Sequence, residues 1–259
     1  MLGGEQPTPF DVRFRLGPIP VRISPWFWLI NGLLGSNLLT DARFGPKFLL
    51  IWVAVVSFSI LIHELGHALA YRMFGSTTAI LLYGFGGLAF GSDLGSPVKR
   101  MVVALSGPFA QFIIAGVVFG SGYLMEWQAA NLYALMTYRF LLWVNIFWAL
   151  FNLLPILPLD GGNVCRELLT LFRARNPEAG AAAISVAVAG GLAITAIAMY
   201  LNIRIPFLEK LTEYFQPGPF MTFWLVLFAI ENYQRYQLAT RMRPRYYDYD
   251  DDTPPWRRR

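Results

Sequence analysis

Long apolar runs alternate with short polar segments along the chain. A helix needs about 20 mostly apolar residues to cross a bilayer. Six runs reach or approach this length, and the first and last are the shortest. They are Pro25–Thr40, Phe48–Tyr71, Val98–Met125, Tyr133–Leu154, Ala179–Leu201 and Pro219–Tyr233. The pattern predicts an all-α integral membrane protein with about six transmembrane helices.

One stretch between the second and third runs has a different pattern. Residues 77–91, TTAILLYGFGGLAFG, place β-favouring residues on both sides of a glycine cluster. The stretch is too short and too broken for a span, so it predicts a short re-entrant β-hairpin or loop. An exposed edge there could pair with an extended peptide by strand addition. A plain connecting hairpin packed against the helices is the alternative.

Composition supports the membrane prediction. Apolar residues make up 56% of the 259 residues and charged residues 14%, whereas soluble domains have about 25% charged residues. An ordinary soluble domain and a disordered chain are therefore excluded. The single cysteine, Cys165, excludes an intramolecular disulfide and a cysteine-based zinc site. Basic residues flank the apolar runs, which is typical of membrane topology, and no nucleic-acid partner is expected.

The distribution of basic residues predicts an orientation. With six spans, 16 of the 21 Lys and Arg residues fall on the side of the N-terminal segment. Because basic loops stay in the cytoplasm, both termini are predicted to be cytoplasmic. Residues 1–24 are then a cytoplasmic lead-in strand, 25–233 the six-span core and 234–259 a flexible charged tail. The lead-in has no compact apolar region with a small-residue cleavage site, so no signal peptide is expected.

The two histidines of the chain both lie in the pentapeptide HELGH, residues 63–67. Residues four apart share one face of a helix, so His63 and His67 can bind one metal ion. Glu64 follows the first histidine and can deprotonate a metal-bound water, as in zinc hydrolases. Ionisable groups within an apolar run are costly unless they pair or bind something. A trio of residues that only form interhelical hydrogen bonds is the disfavoured alternative.

A catalytic zinc takes about three protein ligands, so a third ligand must come from outside the HELGH segment. The best candidate is Asp160 in the segment NLLPILPLDGG, residues 152–162. Pro155 and Pro158 disfavour helix there, so the fourth run is predicted to unwind and to place Asp160 at the depth of the histidines. The alternative role of Asp160 is an N-cap for a helix over 163–172.

Asn152 begins the same segment and has two interpretations of equal weight. It could form an interhelical hydrogen bond in the membrane. It could instead donate to a developing oxyanion or to the substrate.

The pairing of HELGH with NLLPILPLDGG resembles the site-2 protease family of intramembrane zinc metalloproteases, in a short form without PDZ or CBS domain. Further similar motifs are RLGPIPVRISP before the first run, LYGFGG at Leu82–Gly87 and SGPFAQ at Ser106–Gln111. The resemblance covers about Val12 to Leu171. Gln111 stands where relatives often have Asn, so no catalytic role is assigned to it.

The resemblance implies a single zinc site with its catalytic residues. One Zn²⁺ per chain would be bound by His63, His67 and Asp160, and Glu64 would be the general base. The expected substrate or oxyanion contacts are Asn152, Gly86 and Gly87.

The implied function is hydrolysis of peptide bonds in or near transmembrane segments of other membrane proteins. The expected partners are a transmembrane protein substrate and the lipid bilayer of a bacterial-type cell membrane, and a regulatory membrane protein is left open. Two other functions are weighed against it. A catalytically silent metal-binding scaffold has no need of Glu64. A metal or solute transporter predicts further ionisable residues along a path through the spans, where the sequence has almost none.

Overall fold

A computed structural model describes residues 7–40, 44–84, 86–125, 131–201, 203 and 218–241. The described part is mostly helical with one small sheet. Its helices are α1 (Pro25–Leu34), a 3₁₀ turn (Ser36–Thr40), α2 (Gly45–Met73), α3 (Pro97–Met125), α4 (Leu132–Asn152), α5 (Asp160–Leu171), α6 (Pro177–Tyr200) and α7 (Pro219–Arg241). Its strands are β1 (Val12–Leu16), β2 (Ile19–Ile23), β3 (Thr78–Tyr83) and β4 (Gly86–Gly91).

Four helices in the described residues are long and apolar enough to cross a membrane. These candidate spans are Gly45–Met73, Pro97–Gly122, Leu132–Asn152 and Pro177–Tyr200. They correspond to the second to fifth predicted runs and indicate an integral membrane protein.

The first and last predicted runs differ from the other four. The first run is divided between α1 and a 3₁₀ turn, and the ten residues of α1 extend only about 15 Å, half the bilayer core. The last run lies in α7, which continues to Arg241, so the predicted core–tail boundary at residue 233 falls inside a helix. Residues 242–259 of the predicted tail lie outside the described residues. The count of six spans therefore stays a prediction.

The sheet is the main departure from an all-α fold. Its strand order is β1-β2-β3-β4. The predicted lead-in strand is a β1–β2 hairpin that turns at Gly17, whose φ is 57°. The segment 77–91 forms a second antiparallel hairpin, in which Leu81 lies opposite Leu88. The two hairpins join through parallel pairing of β2 with β3, where Val21 lies opposite Ile80.

The main core lies between the sheet and the helices. One face of the sheet supplies Ile19, Val21, Ile23, Ile80 and Leu82. These side chains pack against α1, α2 and α4 through Phe27, Val55, Val56, Ile60, Ala68 and Val144. Because this core includes the α2 residues on either side of HELGH, the sheet is fixed beside the turn that carries the histidines.

The segment between α4 and α5 is irregular, as its prolines predict. Helix α4 ends at Asn152 and α5 begins at Asp160. Both backbone polar groups of Leu157 are bound by side chains from other helices. The Leu157 N–H donates to Oγ of Ser185 in α6 at 2.9 Å, and the Leu157 carbonyl accepts from Nδ2 of Asn232 in α7 at 2.6 Å. Ser185 and Asn232 are fully buried.

Candidate metal centre

Helix α2 carries three buried ionisable side chains that line a cavity. His63, Glu64 and His67 are 4%, 5% and 8% exposed. The four-residue spacing places both imidazoles on one side of the helix, with ring centroids 4.7 Å apart. Burial of this kind requires polar partners or a bound ion.

The partner carboxylate comes from Asp160. Its Oδ2 lies 3.1 Å from Nε2 of His63 and its Oδ1 lies 3.4 Å from Nε2 of His67, while the two Nε2 atoms are 3.0 Å apart. The irregular segment after α4 therefore brings together residues 93 positions apart in the chain. Asp160 is the first residue of α5, and the N-cap position is taken by Leu159 without a side-chain cap. The alternative role of Asp160 as the N-cap is thus not what the structure shows.

The hydrogen bonds at Nδ1 determine how the imidazoles face the centre. Nδ1 of His67 donates to the carbonyl of Val103 at 2.7 Å. Nδ1 of His63 contacts Oε1 of Gln111 at 2.9 Å. The Gln111 amide nitrogen faces the carbonyl of Ser59 at 3.4 Å, which leaves Oε1 to accept from His63. With protons on both Nδ1 atoms, the neutral imidazoles turn their Nε2 lone pairs toward each other and toward Asp160.

These donor atoms fit a metal cation. Two imidazole lone pairs and a carboxylate repel one another at separations of 3.0 to 3.4 Å unless positive charge lies between them. Among the described residues, Oδ2 of Asp160 is a buried oxygen with no hydrogen-bond partner. The same three residues are the group of potential ligands whose donor atoms lie within 4.8 Å of one another. Two imidazoles and a carboxylate are a donor set that zinc accepts in catalytic sites.

Two glycines leave room around the charged side chains. A Cβ atom at residue 87 in β4 would overlap Cγ of Glu64 and lie 2.6 Å from its Oε1. A Cβ atom at residue 107 in α3 would overlap the His67 ring and lie 2.9 Å from Nε2 of His63. Gly86, by contrast, has open space at its Cβ position. Residue 87 is therefore constrained by the Glu64 side chain, whereas residue 86 is not.

A cavity of about 610 Å³ opens onto the three α2 side chains and Asp160. Asn152, Gly86 and Gly87, predicted as substrate contacts, line the same cavity. Asn152 is buried, and its Nδ2 donates to the carbonyl of Trp148 within α4 at 2.9 Å. Aromatic side chains also line this cavity, namely Phe147, Trp148, Phe151, Trp224 and Phe228.

No role was assigned to Gln111 from the sequence. In the structure, the amide oxygen of Gln111 contacts Nδ1 of His63. Gln111 is fully buried in α3. A buried glutamine in an apolar helix needs a polar partner, and this was the signal available in the sequence. Which side chain it would contact depends on the packing of α3 against α2, which the sequence pattern does not reveal.

An ion-pair group at one side of the cavity was also not foreseen. Glu167 of α5 is buried and contacts two arginines, Arg100 at 2.8 Å and Arg166 at 3.0 Å. Arg100 also reaches Asp93 in the loop before α3 at 3.2 Å. The backbone N–H of Gly95 and this guanidinium hold the pKa of Asp93 below its ordinary value. The group links the start of α3 to α5, the helix that carries Asp160.

Comparison with protein families gives a match to peptidase family M50 over residues 124–198. The matched region includes Asn152 and Asp160 and ends before the last helix. It covers less than a third of the chain.

Two relatives illustrate the similarity in sequence. A Synechocystis protein named as a candidate zinc metalloprotease is 32% identical over 163 residues, which are 58% of this chain and 42% of that protein. The zinc metalloprotease MJ0392 of Methanocaldococcus jannaschii is 29% identical over 160 residues, which are 61% of this chain and 44% of that protein. The chain spans less than half the length of these curated relatives.

Comparison with solved structures gives the site-2 protease from Methanocaldococcus jannaschii. The TM-score is 0.53 at 20% sequence identity, and the match covers 90% of this chain and 94% of that chain. At this identity the likeness establishes the fold. Together with the family match and the named relatives, it confirms the resemblance to the site-2 protease family.

Proposed function

We propose that this chain, with its confirmed resemblance to the site-2 protease family, is an intramembrane zinc endopeptidase. The observation that carries the proposal is the convergence of His63, His67 and Asp160 beside a buried Glu64 within a cavity. His63, His67 and Asp160 would hold one zinc ion per chain. When bound there, zinc supplies a Lewis acid that lowers the pKa of water and polarises a peptide carbonyl.

Glu64 is the proposed general base. Glu64 lines the same cavity as both histidines and directly follows His63 in the sequence. It accepts the proton of the attacking water and returns it to the amine that leaves when the peptide bond breaks. Gly87 leaves room for the Glu64 side chain, because a Cβ atom at this position would overlap it.

The remaining residues of the centre hold the histidines in place. The Val103 carbonyl and the Gln111 amide fix both Nδ1 protons, so each ring presents Nε2 to the metal position. Asn152 is proposed to donate to the substrate carbonyl as negative charge develops there, at the expense of its bond within α4.

Strand β4 is proposed to bind the substrate backbone. A transmembrane helix hides its peptide groups in internal hydrogen bonds, so it must be unwound before hydrolysis. β4 is the last strand of the sheet among the described residues, and Gly86 and Gly87 bring its backbone to the cavity wall. An unwound substrate segment could add to this edge and extend across Glu64.

The proposed setting is a bacterial-type cell membrane, with six spans and both termini cytoplasmic. The excess of basic residues on one side supports this orientation. The substrate is a transmembrane segment of another protein. A scaffold or a transporter would use the same metal site without hydrolysis, and the experiment below separates these functions.

Replacement of Glu64 by glutamine tests the proposal. The Glu64→Gln side chain keeps the size of the native one but cannot take a proton, so cleavage of a co-reconstituted single-span reporter should fall by about 10²–10⁴-fold. A matched control is Glu178→Gln, since the Glu178 side chain is 46% exposed and lies in the first turn of α6. Full cleavage by the Glu64→Gln protein would reject Glu64 as the base. Absence of cleavage by the zinc-loaded parent would favour the scaffold or transporter.

A further inference from the structure

The face of the sheet that points away from the helices is divided into a cationic half and an apolar half. Residues paired directly across neighbouring strands share one face of a sheet. Arg13 lies opposite Arg22, Arg22 opposite Leu81 and Leu81 opposite Leu88. We name this surface the outer sheet face. Its members are Arg13, Arg15, Pro20 and Arg22 from β1 and β2, and Ala79, Leu81, Leu88 and Phe90 from β3 and β4.

Both halves of the outer sheet face contain exposed side chains, whereas Leu81 between them is buried. The Arg13 side chain is 60% exposed, and Arg15 is also exposed. In the apolar half, Leu88 is 37% exposed and Phe90 is 44% exposed. The sheet therefore carries an amphipathic surface of its own, separate from the cavity that contains Glu64.

The depth of the sheet indicates what this surface meets. The opposite face packs on Val55, Val56, Ile60 and Ala68, which all lie within the candidate span Gly45–Met73. A surface that points away from the helices at this depth faces lipid. Arginine is costly in hydrocarbon, so the cationic half must lie at the level of the headgroups. The apolar half then points toward the acyl chains.

Charge identifies the class of lipid. Arg13 and Arg22 each lie 3.6 Å from Asp11, and Arg15 donates to the carbonyl of Pro18 at 3.2 Å. Among the described residues, Asp11 pairs with two of the three guanidinium groups, so these four side chains together carry a net charge of two positive units. Guanidinium groups bind phosphate oxygens in pairs of parallel hydrogen bonds, and a positive surface near the membrane attracts anionic lipids.

We propose that the outer sheet face binds the headgroups of anionic phospholipids. The cationic half contacts lipid phosphates while Leu88 and Phe90 contact the upper acyl chains. Because β1 to β4 form one sheet, this contact also fixes the depth of β4 beside Glu64. The proposal concerns a lipid-binding surface and does not depend on proteolytic activity.

The depth of a spin label at residue 90 tests the proposal in the full chain. A nitroxide is attached to Phe90→Cys in a Cys165→Ser background, because Cys165 is the single native cysteine. The protein is placed in nanodiscs of phosphatidylcholine, with or without phosphatidylglycerol. Addition of phosphatidylglycerol should reduce collisions of the label with a water-soluble nickel quencher and increase collisions with oxygen. Arg13→Gln/Arg15→Gln should abolish this response.

The matched control is Arg173→Gln/Arg175→Gln, which removes the same charge from exposed positions between α5 and α6. This control should keep the response to phosphatidylglycerol. A second measurement avoids the label: native mass spectrometry of the unlabelled proteins should find fewer retained phosphatidylglycerol molecules on Arg13→Gln/Arg15→Gln than on the control. Equal quencher accessibility in both lipid mixtures, or equal lipid retention by the two variants, would overturn the proposal.

Discussion

At the scale of single residues, the chemistry of the centre depends on which nitrogen of each imidazole carries the proton. The carbonyl of Val103 can only accept, so Nδ1 of His67 must donate to it. Gln111 has the same effect on His63 because its own amide nitrogen faces the Ser59 carbonyl. Both Nε2 atoms are consequently available as ligands.

The contact between Gly87 and Glu64 gives a prediction at this scale. In Gly87→Ala, the new methyl group would overlap the Glu64 side chain and displace its carboxylate. A displacement of about 1 Å at a reacting group can reduce the rate by about 10²-fold, and we expect a loss of this size in the turnover of the reporter. Zinc content should stay at the parental value, since His63, His67 and Asp160 are unchanged.

Gly86→Ala is the matched control, because its Cβ position is open and it lies in the same strand. Its activity should fall clearly less than that of Gly87→Ala, because the new methyl group would not overlap Glu64. Equal losses in both variants would mean that the strand, and not the space around Glu64, is sensitive to substitution.

Some residues of the site could be predicted from the sequence, and others are visible only in the structure. His63, Glu64 and His67 lie within five consecutive residues, and helical geometry predicts that the two histidines share one face. Asp160 could be inferred because a metal site with two histidines lacks a ligand. Gln111 could not be assigned to His63, since its partner is determined by how two long helices pack side by side.

At the scale of elements, the segment between α4 and α5 determines where Asp160 lies. Two prolines prevent a continuous helix, and the freed backbone groups of Leu157 are bound by Ser185 and Asn232. Ser185 belongs to α6 and Asn232 to α7, the pair of helices that also packs around Ile156. Helices without a proposed catalytic residue thus support the segment that carries the proposed ligand Asp160.

Ser185→Ala tests this support. The substitution leaves the buried N–H of Leu157 without an acceptor, which should destabilise the protein by about 1–3 kcal/mol. Thermal denaturation in detergent measures the stability, and a zinc chelator competition measures affinity for the metal. Zinc affinity should fall as well, because the segment that holds Asp160 loses a tether.

The control for Ser185→Ala is Thr195→Ala in the same helix. Within the described part of the chain, the Thr195 hydroxyl bonds only to the Gly191 carbonyl of its own helix. Its loss should change the stability by less than about 0.5 kcal/mol and leave zinc affinity unchanged. Parental zinc affinity in a destabilised Ser185→Ala protein would contradict a positioning role for the segment.

The elements themselves were predictable to different degrees. Long apolar runs predicted α2, α3, α4 and α6. β-favouring residues around a glycine cluster predicted a re-entrant hairpin or loop; β3 and β4 pair there, and the re-entrant position stays a prediction. The parallel pairing of β2 with β3 was missed, although Val21 and Ile80 are adjacent in space. More than fifty residues separate these strands, and a local pattern does not contain information on such a long-range pair.

At the scale of the whole molecule, the four candidate spans account for the middle of the chain, and the predicted topology adds one membrane crossing before them and one after them. The prediction of six spans holds only if α1 and its 3₁₀ turn together cross the membrane once and α7 crosses it once more. The orientation predicted from basic residues depends on this count, because one crossing fewer would exchange the sides of the following loops.

Reporter fusions test the six-span topology. Alkaline phosphatase is active only outside the cytoplasm of a bacterial cell. Fusion after Arg175, between α5 and α6, should be inactive, whereas fusion after Tyr200 at the end of α6 should be active. A fluorescent protein at the C-terminus should fluoresce. An active fusion after Arg175 would reverse the proposed orientation, and a dark C-terminal fusion would contradict the count of six.

The central claim is that residues on α2 and α5 bind one zinc ion together, and the zinc content of the purified protein tests it most directly. The parent and Glu64→Gln should each contain about one zinc per chain, since zinc with three protein ligands is retained through purification. Asp160→Ala removes a proposed ligand without changing any residue of α2, and this variant should lose nearly all of its zinc. Stoichiometric zinc in Asp160→Ala, bound as tightly as in the parent, would contradict the account.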